Sequence, residues 1–111
     1  MTPVAKVVRL AVAPDQEQVL DRALQVAASK FEEEPGTMVW RHFVTDRQER
    51  LILEVFRDAD AVAMHDASTD VVVLRAALEA SAALVTVETF TAIPVPQTAA
   101  HSRAVSEGDH R

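Results

Sequence analysis

The sequence predicts an α+β fold in which one layer of helices covers one face of an antiparallel sheet, and three observations carry that expectation. Two apolar runs, Thr37 to Thr45 and Arg50 to Arg57, flank a polar segment, which is the pattern of a β-hairpin. Leu20, Leu24, Ala27 and Phe31 recur before them at helical spacing, and a helix-forming stretch with capping signals follows them. Val4 to Val12 and Leu84 to Ala92, rich in β-branched residues, open and close the pattern as strands.

Taken in order, Val4 to Val12 is a strand apolar on both sides. A helix is expected after Pro14, with Asp15 capping its free amides and Gln18 returning the bond as a capping-box variant. The Glu34-Pro35-Gly36 segment stops it, because proline restricts the residue before it and glycine accepts a left-handed turn. The acidic run Glu32-Glu33-Glu34 lies at the end of the helix that the dipole disfavours for carboxylates, and reads as a solvated, fraying turn. Asp46-Arg47-Gln48-Glu49 is expected to be the hairpin loop, which sets Arg41 opposite Glu54 as an ion pair in the middle of LILEVF. Asp58 or Asp60 caps a short helix running to about Ser68, and Thr69 or Asp70 starts another reaching about Ala83. The β-branched Val71-Val72-Val73 belongs to that second helix, because its continuation through Leu78 favours helix by length and composition.

The order strand, helix, strand, strand, helix, strand is the ferredoxin-like β-α-β-β-α-β pattern. It occupies residues 1–92 as one domain, and Pro94, Pro96 and the polar residues beyond make 93–111 an extended or disordered tail. The tail histidines His101 and His110 are expected in solvent. Eleven basic against seventeen acidic residues give a formal net charge of −6, and no basic patch offsets it, which argues against nucleic acid and anionic membranes as partners. Zero cysteines remove thiolate chemistry and disulfides, and no apolar run is long enough to cross a bilayer, so a cytoplasmic protein is expected. Two glycines leave no room for a phosphate-binding or dinucleotide-binding loop.

The hairpin strands carry apolar residues on both faces. With Arg41 opposite Glu54, one side holds Met38, Trp40, Val44, Leu51, Leu53 and Val55, and the other Val39, Phe43, Ile52 and Phe56. One helix layer covers one face only, and exposing the other forfeits about 25 cal/mol for each Å² of apolar surface. A homodimer with its sheets face to face is therefore expected.

At this point the chain resembles the antibiotic biosynthesis monooxygenase family of dimeric α+β barrels, which includes small quinol monooxygenases. The likeness runs over roughly Val4 to Phe90 and rests on Glu34-Pro35-Gly36, on Glu54-Val55-Phe56-Arg57-Asp58 and on Ala63-Met64-His65-Asp66-Ala67-Ser68. The resemblance implies a pocket between sheet and helices in which a flat, electron-rich aromatic or quinol is oxidised by O2 with no cofactor, neither metal nor flavin. The protein then supplies desolvation, a proton-handling group and donors for developing negative charge. His65 takes the catalytic role because imidazole titrates near neutrality. Arg41, Glu54 and Phe56 share its side as substrate-binding residues, whereas Met38, Trp40, His42 and Leu53 face the dimer partner. The chain departs from the family in having Phe56 where tryptophan is common, Thr69-Asp70 where a second histidine is frequent, and no tyrosine. A heme-degrading branch uses an asparagine, a tryptophan and a histidine at places held here by Val8, Phe56 and Ala76, which argues against that chemistry. Two other readings stay open: a cyclase or isomerase using the same pocket for proton transfer, and a non-catalytic barrel that binds an apolar metabolite.

Overall fold

A computed structural model of the protein describes residues 2–94, so most of the expected tail, with His101 and His110, lies outside the described residues. Along the chain run β1 (Val4–Val12), α1 (Glu17–Phe31), β2 (Thr37–Val44), β3 (Arg50–Phe56), α2 (Ala59–Asp66), α3 (Thr69–Ser81) and β4 (Ala82–Thr91). The strands form one antiparallel sheet in the order β2-β3-β1-β4, with the helices on one face, as the ferredoxin-like pattern requires. None of the described helices is long and apolar enough to cross a membrane.

Helix α1 buries the anticipated stripe of Leu20, Leu24, Ala27 and Phe31 against Leu10, Trp40, Ile52 and Val71. Its start differs from expectation. Asp15 is not the cap: with φ 62° it occupies the third position of a turn in which Gln16 N–H donates to Ala13 O at 3.0 Å and Pro14 takes the second position. Gln16 precedes the helix without a side-chain bond. Asp58 caps α2 by accepting from Ala61 N at 2.9 Å, and Ser68 caps α3 by accepting from Val71 N at 3.3 Å. Gly36 is required for space rather than for a left-handed turn. Among the described residues no glycine has positive φ, and a Cβ there would overlap that of Ala61 on α2.

The hairpin register is the difference that matters most. Gln48 N–H donates to Thr45 O, Thr45 N–H donates to Glu49 O, and Gln48 adopts φ 63°, so the loop is Asp46-Arg47-Gln48 and Glu49 belongs to the ladder. This is the three-residue hairpin in which a turn is followed by one left-handed residue. Thr45 Oγ1 reinforces it by accepting from the amides of Arg47 and Glu49. The shorter loop pairs Val44 with Arg50 and Trp40 with Glu54, one residue away from the expected Arg41–Glu54 pair. A slip of one residue exchanges the faces of a strand. Arg50 locks the result: its guanidinium, buried at the strand start, makes paired bonds of 2.7 and 3.0 Å to Asp21 on α1.

Trp40 and His42 consequently lie under the helices, on the same side as Ile52, Glu54 and Phe56. Val39, Arg41 and Phe43 lie on the open side with Leu51, Leu53 and Val55. Met38 sits in the irregularity between Thr37 and Val39 and is exposed. On β1 and β4, Arg9 and Glu88 belong to the open face as well.

Candidate active site

The site begins where α1 stops. Glu34 does not fray into solvent: its Oε1 accepts a 2.7 Å hydrogen bond from Thr37 Oγ1 and stands 2.7 Å from His65 Nδ1. Helix α2, entering through its Asp58 cap, brings His65 inward, where the ring is 6% exposed. The imidazole packs edge-on against Phe31 at 4.4 Å between ring centroids and lies 4.9 Å from Phe56. Its other nitrogen, Nε2, stands 3.2 Å from Glu54 Oε1, which also accepts a 3.0 Å hydrogen bond from Trp40 Nε1. The result is a chain of groups from Thr37 through Glu34, His65 and Glu54 to Trp40.

Burial opposes the imidazolium, but the contacts with Glu54 and Glu34 outweigh it, and the pKa of His65 is raised above 6.5. Both carboxylates are acceptors when ionised, so both ring nitrogens bind best as N–H donors. The two carboxylates approach opposite edges of one ring and therefore do not converge on a common point. Among the described residues no group of three such side chains is placed to hold a metal ion.

A cavity of about 430 Å³ opens beside this chain, between the sheet and α3. Trp40, Glu54 and His65 form its polar side, and Val8, Leu10, Ile52, Val71, Leu74 and Leu78 give it apolar walls. Lys6 lies on the same side of the sheet, next to Glu54 in the ladder, and pairs with Asp66 at 3.5 Å. Arg75 and Glu79 complete the charged part of the lining. Such a space suits a small, mostly apolar molecule with a polar group.

The expected site residues are thus redistributed. His65 and Glu54 meet at the cavity, and Phe56 supports the imidazole from behind as a fully buried ring. Arg41 is not in the pocket: it lies on the open face of β2, in a loose, exposed contact of 3.6 Å with Glu32. Trp40, 2% exposed, belongs to the cavity and not to an outer interface, and half-buried His42 follows it at 6.1 Å between ring centroids. Leu53 does lie on the open face. Sequence reasoning missed Glu34, Lys6 and Trp40 as lining or supporting residues. For Glu34 a signal existed in its position three residues before a hydroxyl residue, Thr37, across the helix stop.

No family profile and no curated protein sequence matches the chain. Solved structures do. SnoaB, a cofactor-independent oxygenase from Streptomyces nogalater, superposes with a TM-score of 0.74 at 20% identity, over 86% of this chain and 97% of that one. The chain shares the fold of structures named antibiotic biosynthesis monooxygenases. A candidate antibiotic biosynthesis monooxygenase from Caulobacter crescentus gives a TM-score of 0.76 at 22% identity, over 84% of this chain and 92% of that one. Rv0793 from Mycobacterium tuberculosis gives 0.73 at 21% identity, over 85% and 96%. At these identities the likeness is one of fold over most of each chain. The Glu34–His65–Glu54–Trp40 chain is described from this protein's own residues.

Proposed function

We propose that the protein is a cofactor-independent monooxygenase that oxidises a small aromatic or quinol with O2. The observation that carries this reading is the buried imidazole between two carboxylates at the polar side of an apolar cavity. A hydroxylated ring lying against Val8, Ile52 and Leu74 would present its hydroxyl to Glu54 and His65. Removal of that proton leaves an electron-rich phenolate, the species that can reduce O2 without metal or flavin. Apolar walls exclude water and strengthen every charge interaction within them. The neighbouring SnoaB, described as a cofactor-independent oxygenase, supports the same class of reaction.

Oxygen uptake by the purified protein, measured with a panel of dihydroxy-aromatics against an anaerobic control, tests this. Consumption is expected with at least one substrate, falling about 100-fold or more in His65→Ala, within the range for loss of an acid/base group. Substrate turnover that continues anaerobically would replace the reading with a cyclase or isomerase. Binding without turnover would replace it with a metabolite-binding barrel.

The working unit in this reading is a homodimer. Leu51, Leu53 and Val55 on β3 and Val39 and Phe43 on β2 form an open apolar face that the helices leave uncovered, with Phe43 48% exposed. A second copy applied to that face buries it. Light-scattering mass in dilute solution is expected to be twice that of the chain, and a monomer would contradict the arrangement.

A further inference from the structure

We propose that the acid/base unit facing the cavity is the Glu54–His65 pair acting together, with the free carboxylate oxygen of Glu54 as the atom that meets the ligand's hydroxyl, and that Glu34 is a positioning residue for the imidazole. This rests on the reading of the cavity as the site of a hydroxylated aromatic, and changes which atom does the chemistry. Three geometric facts carry it. Both nitrogens of His65 are already engaged, Nδ1 by Glu34 at 2.7 Å and Nε2 by Glu54 at 3.2 Å, so the ring has no free edge to offer a ligand. Glu54 spends only Oε1 on Trp40 and His65, and Oε2 accepts no hydrogen bond among the described residues. Glu54 is 8% exposed and lines the cavity, so an unpartnered acceptor in a nine-tenths buried side chain stands where a hydroxyl donor would satisfy it.

Glu34 does not line the cavity. Held by Thr37, it takes the shorter bond to the ring, accepting from Nδ1–H, and so fixes the ring with Nε2–H directed at Glu54. In the proton step the ligand's O–H bond breaks, its electron pair stays on the phenolate oxygen, and the proton passes to Oε2 of Glu54, which becomes a neutral carboxylic acid beside the imidazolium of His65. The charge of Glu34 stabilises that imidazolium. The other charged groups near the pair are Lys6 from β1, already engaged with Asp66 of α2, and Arg75 and Glu79 from α3 across the cavity. From α1 the ring meets the uncharged Phe31.

The test uses 4-nitrophenol, whose phenolate absorbs visible light, bound to the intact wild type, Glu54→Gln and Glu34→Gln across the neutral pH range, with the His65 ring followed by NMR. In the wild type the bound probe is expected to ionise at lower pH than the free probe while His65 keeps its proton. Glu54→Gln keeps an acceptor for Trp40 but cannot take a proton, so its bound probe is expected to stay protonated. Glu34→Gln is expected to bind the probe but to ionise it about one pH unit higher, a tenfold loss of proton affinity in the pair. Ionisation in Glu54→Gln equal to wild type would mean that His65 takes the proton directly, and would overturn the assignment of Glu54. Equal behaviour of Glu34→Gln and wild type would overturn the positioning role. No binding by any of the three would overturn the cavity reading and this proposal with it. The measurement needs no O2, so failure of the oxygenase reading alone leaves the proton result standing.

Discussion

Replacing His65 by leucine is expected to destabilise the protein by about 3–5 kcal/mol, the cost of removing one member of a buried, hydrogen-bonded charge group. Leucine matches the apolar contacts with Phe31 and Phe56 but leaves Glu54, 8% exposed, with Trp40 as its one remaining donor. The loss should depend on pH with a definite sign. The folded pKa of His65 is raised above 6.5, so its stabilisation is fully present below 6.5 and fades as pH rises through the folded value. Urea unfolding of both proteins should therefore give the widest gap on the acid side of neutrality, above the carboxylate range, and a narrower one in mild alkali. A gap that does not change with pH would mean that the ring stabilises the fold by packing and not by charge.

Phe31→Ala is expected to cost about 3–5 kcal/mol as well, by a different mechanism. The ring is fully buried at the last turn of α1 and touches Trp40 at 5.2 Å and His65 at 4.4 Å between centroids. Its removal opens a cavity at the junction of helix, hairpin and site, where the backbone is held by the helix stop and cannot collapse freely. Phe31→Leu retains most of the volume and should lose under about 1.5 kcal/mol. The midpoint of urea unfolding should shift in Phe31→Ala with the slope unchanged. A loss below about 1 kcal/mol for the alanine variant would show that α1 does not brace the imidazole.

These two residues also mark how much of the protein was legible beforehand. Phe31 and the stripe it completes were readable because a helix repeats every 3.6 residues, and four apolar positions on one face have a single arrangement that hides them all. His65 was readable as an inward residue of a short helix after an aspartate cap. Its partners were not. Glu34 is 31 residues away in sequence, and no local periodicity couples it to a histidine on another helix. Trp40 and Arg41 were assigned to the wrong faces because strand parity depends on loop length. That length turned on one residue, Gln48, taking a left-handed conformation that non-glycine residues adopt sparingly.

By itself, then, the sequence determined the α+β class, the order of the elements and the buried stripe of α1, since all of these follow from local periodicity and from the cost of exposing apolar surface. Only the tertiary structure decided that Trp40 joins the cavity, that Arg41 leaves it, and that Glu34 and Glu54 grip His65 from opposite edges. Register and long-range charge pairing are properties of which chain segments meet, and a one-residue change in a turn reverses them without altering any local pattern.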